Sequence, residues 1–416
     1  MVLRRLLNAS REPVTRLYPL TVFFAADGIL FAAWVVRIPH IKAQVGATAT
    51  QLGFALLCMT FASAISMYVA GRLCARLGTR LVTVASFPLV CVGLVLPALT
   101  RSPIQLGVVL FAWGCVYGTL LVALNAAAVE VEKATQRALM SPMHGLWSVG
   151  GLVGAVTGGM LVERLTTSTH LGVIAISGVV TTLLVAPSMM RPDSRSAGPG
   201  ELTAATAPTT RHAPQPAFPA VRTLVILLGV VALCTAYGEG AVGDWAVLHL
   251  QQDVGASESL AAYGFGAYMV AVSVGRLTGG LIIQQVGESW VLIGGAVLAA
   301  LGILVAAWTT SVWVAWVGLV VVGLGLANMF PVAMARAGAL GGSRGVGLAS
   351  TIGNVGMLGG PPIIGFLADQ WGLPAALSTI AVLAGVAGLI GVALRERMAP
   401  RATVSPAKPD AAMLGT

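Results

Sequence analysis

Apolar residues run through this chain in long blocks, and most charged residues fall between the blocks rather than inside them. Period-two alternation, the mark of a half-buried strand, is absent from them. Each block is long enough to cross about 30 Å of hydrocarbon as a helix rising ~1.5 Å per residue. They predict spans at 17–39, 49–70, 80–99, 104–129, 142–162 and 170–190, then at 222–250, 259–283, 289–309, 311–334, 346–368 and 373–394. Between the two sets, 191–220 holds six prolines among Ser, Thr, Ala and Gly. Such a stretch cannot bury a core and is expected to be a flexible linker. The expected organisation is a cytoplasmic segment 1–16, a six-helix bundle 17–190, a cytoplasmic linker 191–220, a second bundle 221–395 and a cytoplasmic tail 396–416. The fold class is an all-α membrane protein with twelve transmembrane helices.

Composition agrees. Hydrophobic residues make up 57% and charged residues 9%, against about 25% charged in soluble domains. The net charge of +9 does not point to nucleic acid, because the basic residues are dispersed over loops and form no aromatic-interleaved patch. They sort by side of the membrane instead. With the N-terminus inside, the outer segments hold Arg37, Lys42, Arg101 and Arg164, and the inner ones hold the other 20 of 24. That asymmetry places both termini in the cytoplasm. The first sixteen residues are basic and lack a cleavage-site pattern, so the first span is expected to be a retained helix. Cys58, Cys74, Cys91, Cys115 and Cys234 show no CxxC spacing and read as helix-packing residues. No metal site, ATP-binding loop or nucleophile motif appears. The chain is not expected to be an enzyme or to need a cofactor, and any uphill transport must draw on a gradient.

The two halves repeat. Val45-Gly46-Ala47-Thr48 before the second span matches Val254-Gly255-Ala256-Ser257 before the eighth. Gly150, Gly154, Gly159 and Glu163 match Gly356, Gly360, Gly365 and Asp369 at a constant offset of 206. After the second span the chain reads Gly71-Arg72-Leu73-Cys74-Ala75-Arg76-Leu77-Gly78-Thr79-Arg80, and Gly280 to Gly287 is its weaker copy. This stretch resembles the loop motif of the major facilitator superfamily, with Ala75 and Gln284 where that family carries an acid. The absent acids put the family's charge latch in doubt here. Further stretches resemble the YbjJ-like bacterial inner-membrane branch near the fucose permeases. They are Trp34 to Pro39, Leu124-Asn125-Ala126 with Val129-Glu130, His144 to Ser148, and Glu239-Gly240-Ala241 with Asp244-Trp245. The resemblance implies two pseudo-symmetric bundles and a transporter of the bacterial plasma membrane. It also implies a monomer that works on a small-molecule substrate, with protons as the co-substrate.

An ionisable group inside hydrocarbon is expensive and marks a functional candidate. Of fifteen acidic residues, Asp27, Glu239 and Asp244 fall well inside spans. Asp27 lies about 15 Å into the first span, near the midplane where such transporters bind. It shares a face with Phe31 and Trp34. A proton or substrate role for Asp27 competes with a structural carboxylate. Glu239, in Gly238-Glu239-Gly240, is a candidate for coupling, with a helix break at these glycines. Aligning Trp34 on Trp245 places Glu239 one position from the counterpart of Asp27. Asp244 and Arg37 form a candidate gate. Asn125, His144, Trp147, Asn328 and Asn354 could supply hydrogen bonds and flat faces for a hydroxylated solute, or serve as helix–helix contacts. Glu130 is expected to cap its helix or meet Arg137. Arg276 is expected to snorkel to headgroups. Pro361-Pro362 should kink the eleventh span. The function expected is proton-coupled import of a small polar, possibly sugar-like, solute. The alternatives are an exporter of drugs or metabolites, disfavoured by the missing proline in Gly154-Ala155-Val156-Thr157-Gly158, and a non-transporting sensor.

Overall fold

The computed structural model describes residues 2–135, 139–190 and 218–395, so Arg137, most of the expected linker and the tail lie outside it. The helices are α1 (Val2–Gln44), α2 (Ala49–Leu77), α3 (Thr79–Val95), α4 (Pro103–Thr135), α5 (Met140–Val162), α6 (Thr167–Met189) and α7 (Phe218–Gln252). They continue with α8 (Glu258–Val286), α9 (Glu288–Trp308), α10 (Val312–Leu326), α11 (Met329–Trp371), α12 (Leu373–Leu377) and α13 (Thr379–Ala393). No strand occurs among the described residues.

Among the described residues, eleven helical stretches are long and apolar enough to cross a membrane. One of them, Val312–Trp371, has 60 residues. A straight helix of that length would measure about 90 Å, three bilayer cores. Its backbone leaves helical geometry at Gly342, with φ 57° and ψ −145°, where a residue with a Cβ would be strained. The chain turns there, giving a tenth span that ends before Gly342 and an eleventh that starts after it. The count among the described residues is therefore twelve. Gly342 is the position in α11 with non-helical backbone angles, Pro361 and Pro362 lie within its helical stretch, and α7 runs unbroken through Gly238, Gly240 and Gly243. Pro361 is buried and Pro362 half-buried.

Sequence repeats become conformational repeats. Thr48 caps α2 by accepting from Gln51 N–H, with the reciprocal Gln51 bond completing a capping box. Ser257 caps α8 by accepting from Leu260 N–H. Gly46 and Gly255 before these caps have φ of 64° and 76°, and Gly78 and Gly287 at the far ends both have 85°. The turns holding Gly46 and Gly255 lie at one end of the molecule, the Gly46 end. Those at Gly78, Gly287 and Gly342 mark the opposite Gly78 end.

The glycines of the 206-residue repeat set the packing. A Cβ at Gly150 would strike the carbonyl of Ala25, and one at Gly154 would press on Ile29, so α5 lies directly against α1. Gly356 meets the carbonyl of Leu233 and Gly360 faces Tyr237, giving the same pairing of α11 with α7. Such small-xxx-small contacts are how helices associate without a hydrophobic drive. Gly150→Val should lower stability by about 1–3 kcal/mol through overpacking, read as a lower melting temperature of the purified protein. An unchanged melting temperature would refute this backbone contact.

The halves meet along two seams, α2 with α11 and α5 with α8. Gly53 packs on Pro361 and Gly365 on Ala49 in the first, and Gly159 on Tyr263 and Gly266 on Ala155 in the second. Polar contacts join the halves at the Gly46 end, among them His40 Nε2 to Glu258 Oε1 at 3.0 Å. Asn354 lies on the same face of α11 as Pro361, two turns toward the Gly78 end, and is exposed. α1 and α7 are the most enclosed spans, with 67% and 61% of their most apolar stretch buried, so polar side chains on them are the ones held at the centre.

Candidate functional site

Asp27 is 1% exposed on α1. The neighbouring Gly28 lets α5 approach until a Cβ there would strike the Trp147 carbonyl. This close approach turns the Trp147 indole onto Asp27, and its Nε1–H donates to Oδ2 at 2.9 Å. Oδ1 is buried with no hydrogen-bond partner. Ionised, such an oxygen would carry the full desolvation cost; protonated, the group is neutral. Phe31, one turn along, packs its ring 5.3 Å from Trp147 and 6.4 Å from Phe265 of α8, and Phe265 lies 6.0 Å from Tyr268. Aromatic rings therefore bridge from the first half to the second. Gly243 of α7 abuts Phe31.

One turn before Gly243, Glu239 meets Arg276 of α8. Arg276 Nη2 donates to both carboxylate oxygens, at 2.8 and 3.0 Å. The two side chains are 25% and 30% exposed. Arg276 is therefore not a snorkelling residue. It falls seven residues after Met269, which meets Gly151 of α5, so it shares the face that α8 turns to the other half. His144, on α5, is exposed, lies within electrostatic reach of Arg276 and sets its ring edge-on to Phe24 at 5.8 Å. Arg276, Tyr268 and Phe265 were missed by sequence reasoning. The missed signal for Arg276 was the periodicity that puts a charge on the same face as the small and aromatic residues packing on α5.

Other expected residues lie elsewhere. Trp34 is buried at 2% exposure against Trp113 of α4, their rings 5.3 Å apart, rather than lining an opening. Asn328 donates from Nδ2 to the Gly275 carbonyl of α8 at 2.8 Å, and it occupies the space a Cβ at Gly279 would need. It joins helices. Asn125 is half-buried and donates to Leu121 O of its own helix at 2.7 Å.

The expected gate pair does not form. Arg37, 1% exposed, donates from Nε to His170 Nδ1 at 3.0 Å, from Nη1 to Val162 O at 3.2 Å and from Nη2 to Leu165 O at 2.8 Å. It staples the ends of α5 and α6 to α1, and these three bonds, all within the first half, fix the guanidinium away from Asp244. Asp244 is half-buried with no hydrogen bond or ion pair among the described residues.

The packing register corrects the pairing of Asp27 with Glu239. Gly150 and Gly356 contact residues 25 and 233, and Gly154 and Gly360 contact 29 and 237. Both differences are 208, so the counterpart of Asp27 is Thr235, and Glu239 corresponds to Phe31. The match of Trp34 to Trp245 failed because it compares bulky residues that pack differently, whereas glycine contacts fix the helix register.

At the Gly78 end, Gly71 and Gly280 face open space. Arg72 turns back onto Tyr68, donating to its hydroxyl at 2.7 Å with the guanidinium 4.2 Å above the ring. Arg76 is exposed in the last turn of α2, and Arg80 lines a small pocket with Glu130. Thr79 donates to Glu130 Oε2 at 2.9 Å, so a carboxylate from α4 reaches the start of α3. In the second half Arg336 Nε lies 3.1 Å from Glu288 at the start of α9, too poorly aligned to count as a hydrogen bond to that oxygen. Residue 336 is 206 after 130, so the repeat keeps the place of this contact and puts an arginine–carboxylate pair where the first half has a threonine–carboxylate hydrogen bond.

With this geometry established, comparison with known proteins identifies the family. The Major Facilitator Superfamily model matches residues 20–245 and 228–413. The chain belongs to this superfamily. An uncharacterised MFS-type transporter of Yersinia pestis is 33% identical over 379 residues, 90% of this chain and 93% of its own length. The membrane protein MosC of Rhizobium meliloti is 27% identical, over 85% of this chain and 84% of its own. Among solved structures, a bacterial homologue of the human lysosomal transporter Spinster, inward-facing and unoccupied, superposes with a TM-score of 0.73 at 14% identity, covering 93% and 98% of the two chains. The nucleoside transporter NupG gives 0.70 at 12%, covering 92% and 99%. At these identities the structures show the shared fold. This superfamily member is a multi-pass membrane transporter and not an enzyme.

Proposed function

We propose that this transporter couples protons to the import of a small polar solute by alternating access, with Asp27 as the proton-carrying group. The observation that carries this reading is the buried Asp27 carboxyl with one oxygen bonded to Trp147 and the other unpartnered. A buried carboxyl with an unpartnered oxygen is costly to hold as an ion, which suits it to carrying a proton. The solute would lie toward the Gly78 end of the aromatic bridge, reached by His144, Trp147, Asn354 and the Glu239–Arg276 pair. Amide, imidazole and guanidinium donors beside flat rings suit a hydroxylated molecule, and the likeness to the YbjJ and fucose-permease branch favours a sugar-like one. With the termini in the cytoplasm of a bacterium, the closed Gly46 end faces the periplasm. The working unit is a monomer.

The test is a thermal-shift screen of the purified chain against sugars, polyols, amino acids and cationic drugs at pH about 5.5 and about 8. A ligand at 100 times its Kd stabilises the folded state by ~2.7 kcal/mol. A polyhydroxylated hit whose affinity rises at the lower pH supports the reading. Equal affinity at both pH values removes proton linkage, and stabilisation by drugs alone would favour export.

A further inference from the structure

The repeat that relates Glu163 to Asp369 has a counterpart in the contacts these acids make, and both contacts cross between the halves. Asp369, at the end of α11, accepts from Ala49 N–H on Oδ1 at 2.9 Å and from Thr50 N–H on Oδ2 at 2.8 Å. Glu163, following α5, accepts from Ser259 N–H on Oε1 at 3.3 Å. Ala49, Thr50 and Ser259 lie in the first turns of α2 and α8, where helix amides have no partner of their own and the helix end attracts negative charge. A second contact repeats beside the first. Thr50 Oγ1 donates to Gly365 O at 3.4 Å, and Ser259 Oγ donates to Gly159 O at 2.7 Å. Gly159 and Gly365 are also 206 apart, and both sit too close to the opposite half to carry a side chain, against Tyr263 and against Ala49.

We propose that Asp369 and Glu163 form a twin latch that holds the Gly46 end shut, each acid gripping first-turn backbone N–H of a helix from the other half. Opening that end separates both acids from their helices. The two sides are unequal. Asp369 makes two short backbone bonds and Glu163 a single longer one, so loss of Asp369 should loosen the closed end more than loss of Glu163. Hydrogen bonds from Ser259 also hold the Glu163 carboxyl below the usual carboxylate range, which keeps it charged for this contact near neutral pH. The latch needs neither solute nor coupling ion, so its test is independent of the proton-import reading.

Hydrogen exchange of the full chain in nanodiscs, followed by mass spectrometry, tests it. In Asp369→Asn the amides of Ala49 and Thr50 should exchange roughly tenfold faster, since charged hydrogen bonds are the stronger class. The decisive region is the other seam, where exchange around Ser259 should also rise because the end opens as a unit. Asp369→Glu, which keeps the charge, should restore most of the protection. If Asp369→Asn does not fold, Glu163→Gln carries the same test in reverse, through faster exchange at Ala49 and Thr50, which Glu163 does not touch. Acceleration confined to the mutated seam would reduce each acid to a local helix cap and overturn the latch.

Discussion

Asp27→Asn should abolish uphill accumulation of the solute in proteoliposomes while leaving exchange of solute down its own gradient. The amide keeps an oxygen for the Trp147 indole, which donates to Asp27 at 2.9 Å, so local packing survives. It cannot take up or release a proton, so the thermodynamic link to the proton gradient is lost. The accumulation ratio should fall to about one, because a carrier without an energy source only equilibrates its solute. Continued concentrative uptake by Asp27→Asn would sink the assignment of Asp27 as the proton site. Trp147→Phe removes the indole donor and leaves both carboxyl oxygens unpartnered. The pH profile of its initial uptake rates should differ from that of the unaltered chain, because the carboxyl has lost its one hydrogen bond.

The second large effect is expected at the Glu239–Arg276 pair. Glu239→Gln leaves a guanidinium in the middle of the molecule with its charge uncompensated. Breaking a fully buried pair costs about 3–5 kcal/mol. Here the side chains are 25% and 30% exposed, so about 1–3 kcal/mol is the better expectation after solvent screening. Transport should be lost, and the melting temperature should drop. The double variant Glu239→Gln with Arg276→Gln should recover most of the stability and none of the transport. That combination separates a pair required for handling the solute from one required only for folding. Recovery of transport in the double variant would make the pair structural, and additive losses of stability would mean that the two residues do not interact.

Much of this architecture was legible in the residues. Block length set the number of spans, because a bilayer admits a backbone only if it is fully hydrogen-bonded within itself. The glycines at 150, 154, 356 and 360 announced helix contacts because nothing else permits backbones to approach so closely. Legibility failed where an outcome depended on direction around a helix. Arg276 looks like a residue near a headgroup when its depth alone is considered, yet its angular position points it at Glu239 and the opposite half. Arg37 and Asp244 have opposite charges near the same end, but Arg37 turns to His170 and two carbonyls of its own half.

The sequence by itself determined that the chain is apolar in membrane-length blocks, that it is duplicated, and that few charges enter the hydrocarbon. These are one-dimensional properties, and hydration cost enforces them wherever the helices end up. Only the tertiary structure decided that Asp27 meets Trp147, that Glu239 pairs with Arg276 rather than mirroring Asp27, and that Asn328 and Trp34 are packing residues. It also decided that Glu163 and Asp369, visible in the sequence only as a repeated acid, each reach the free amides of a helix in the other half. Those outcomes depend on helix register and rotation, which are set by small-residue contacts a fraction of a turn wide, and a shift of one residue turns a side chain by about 100°.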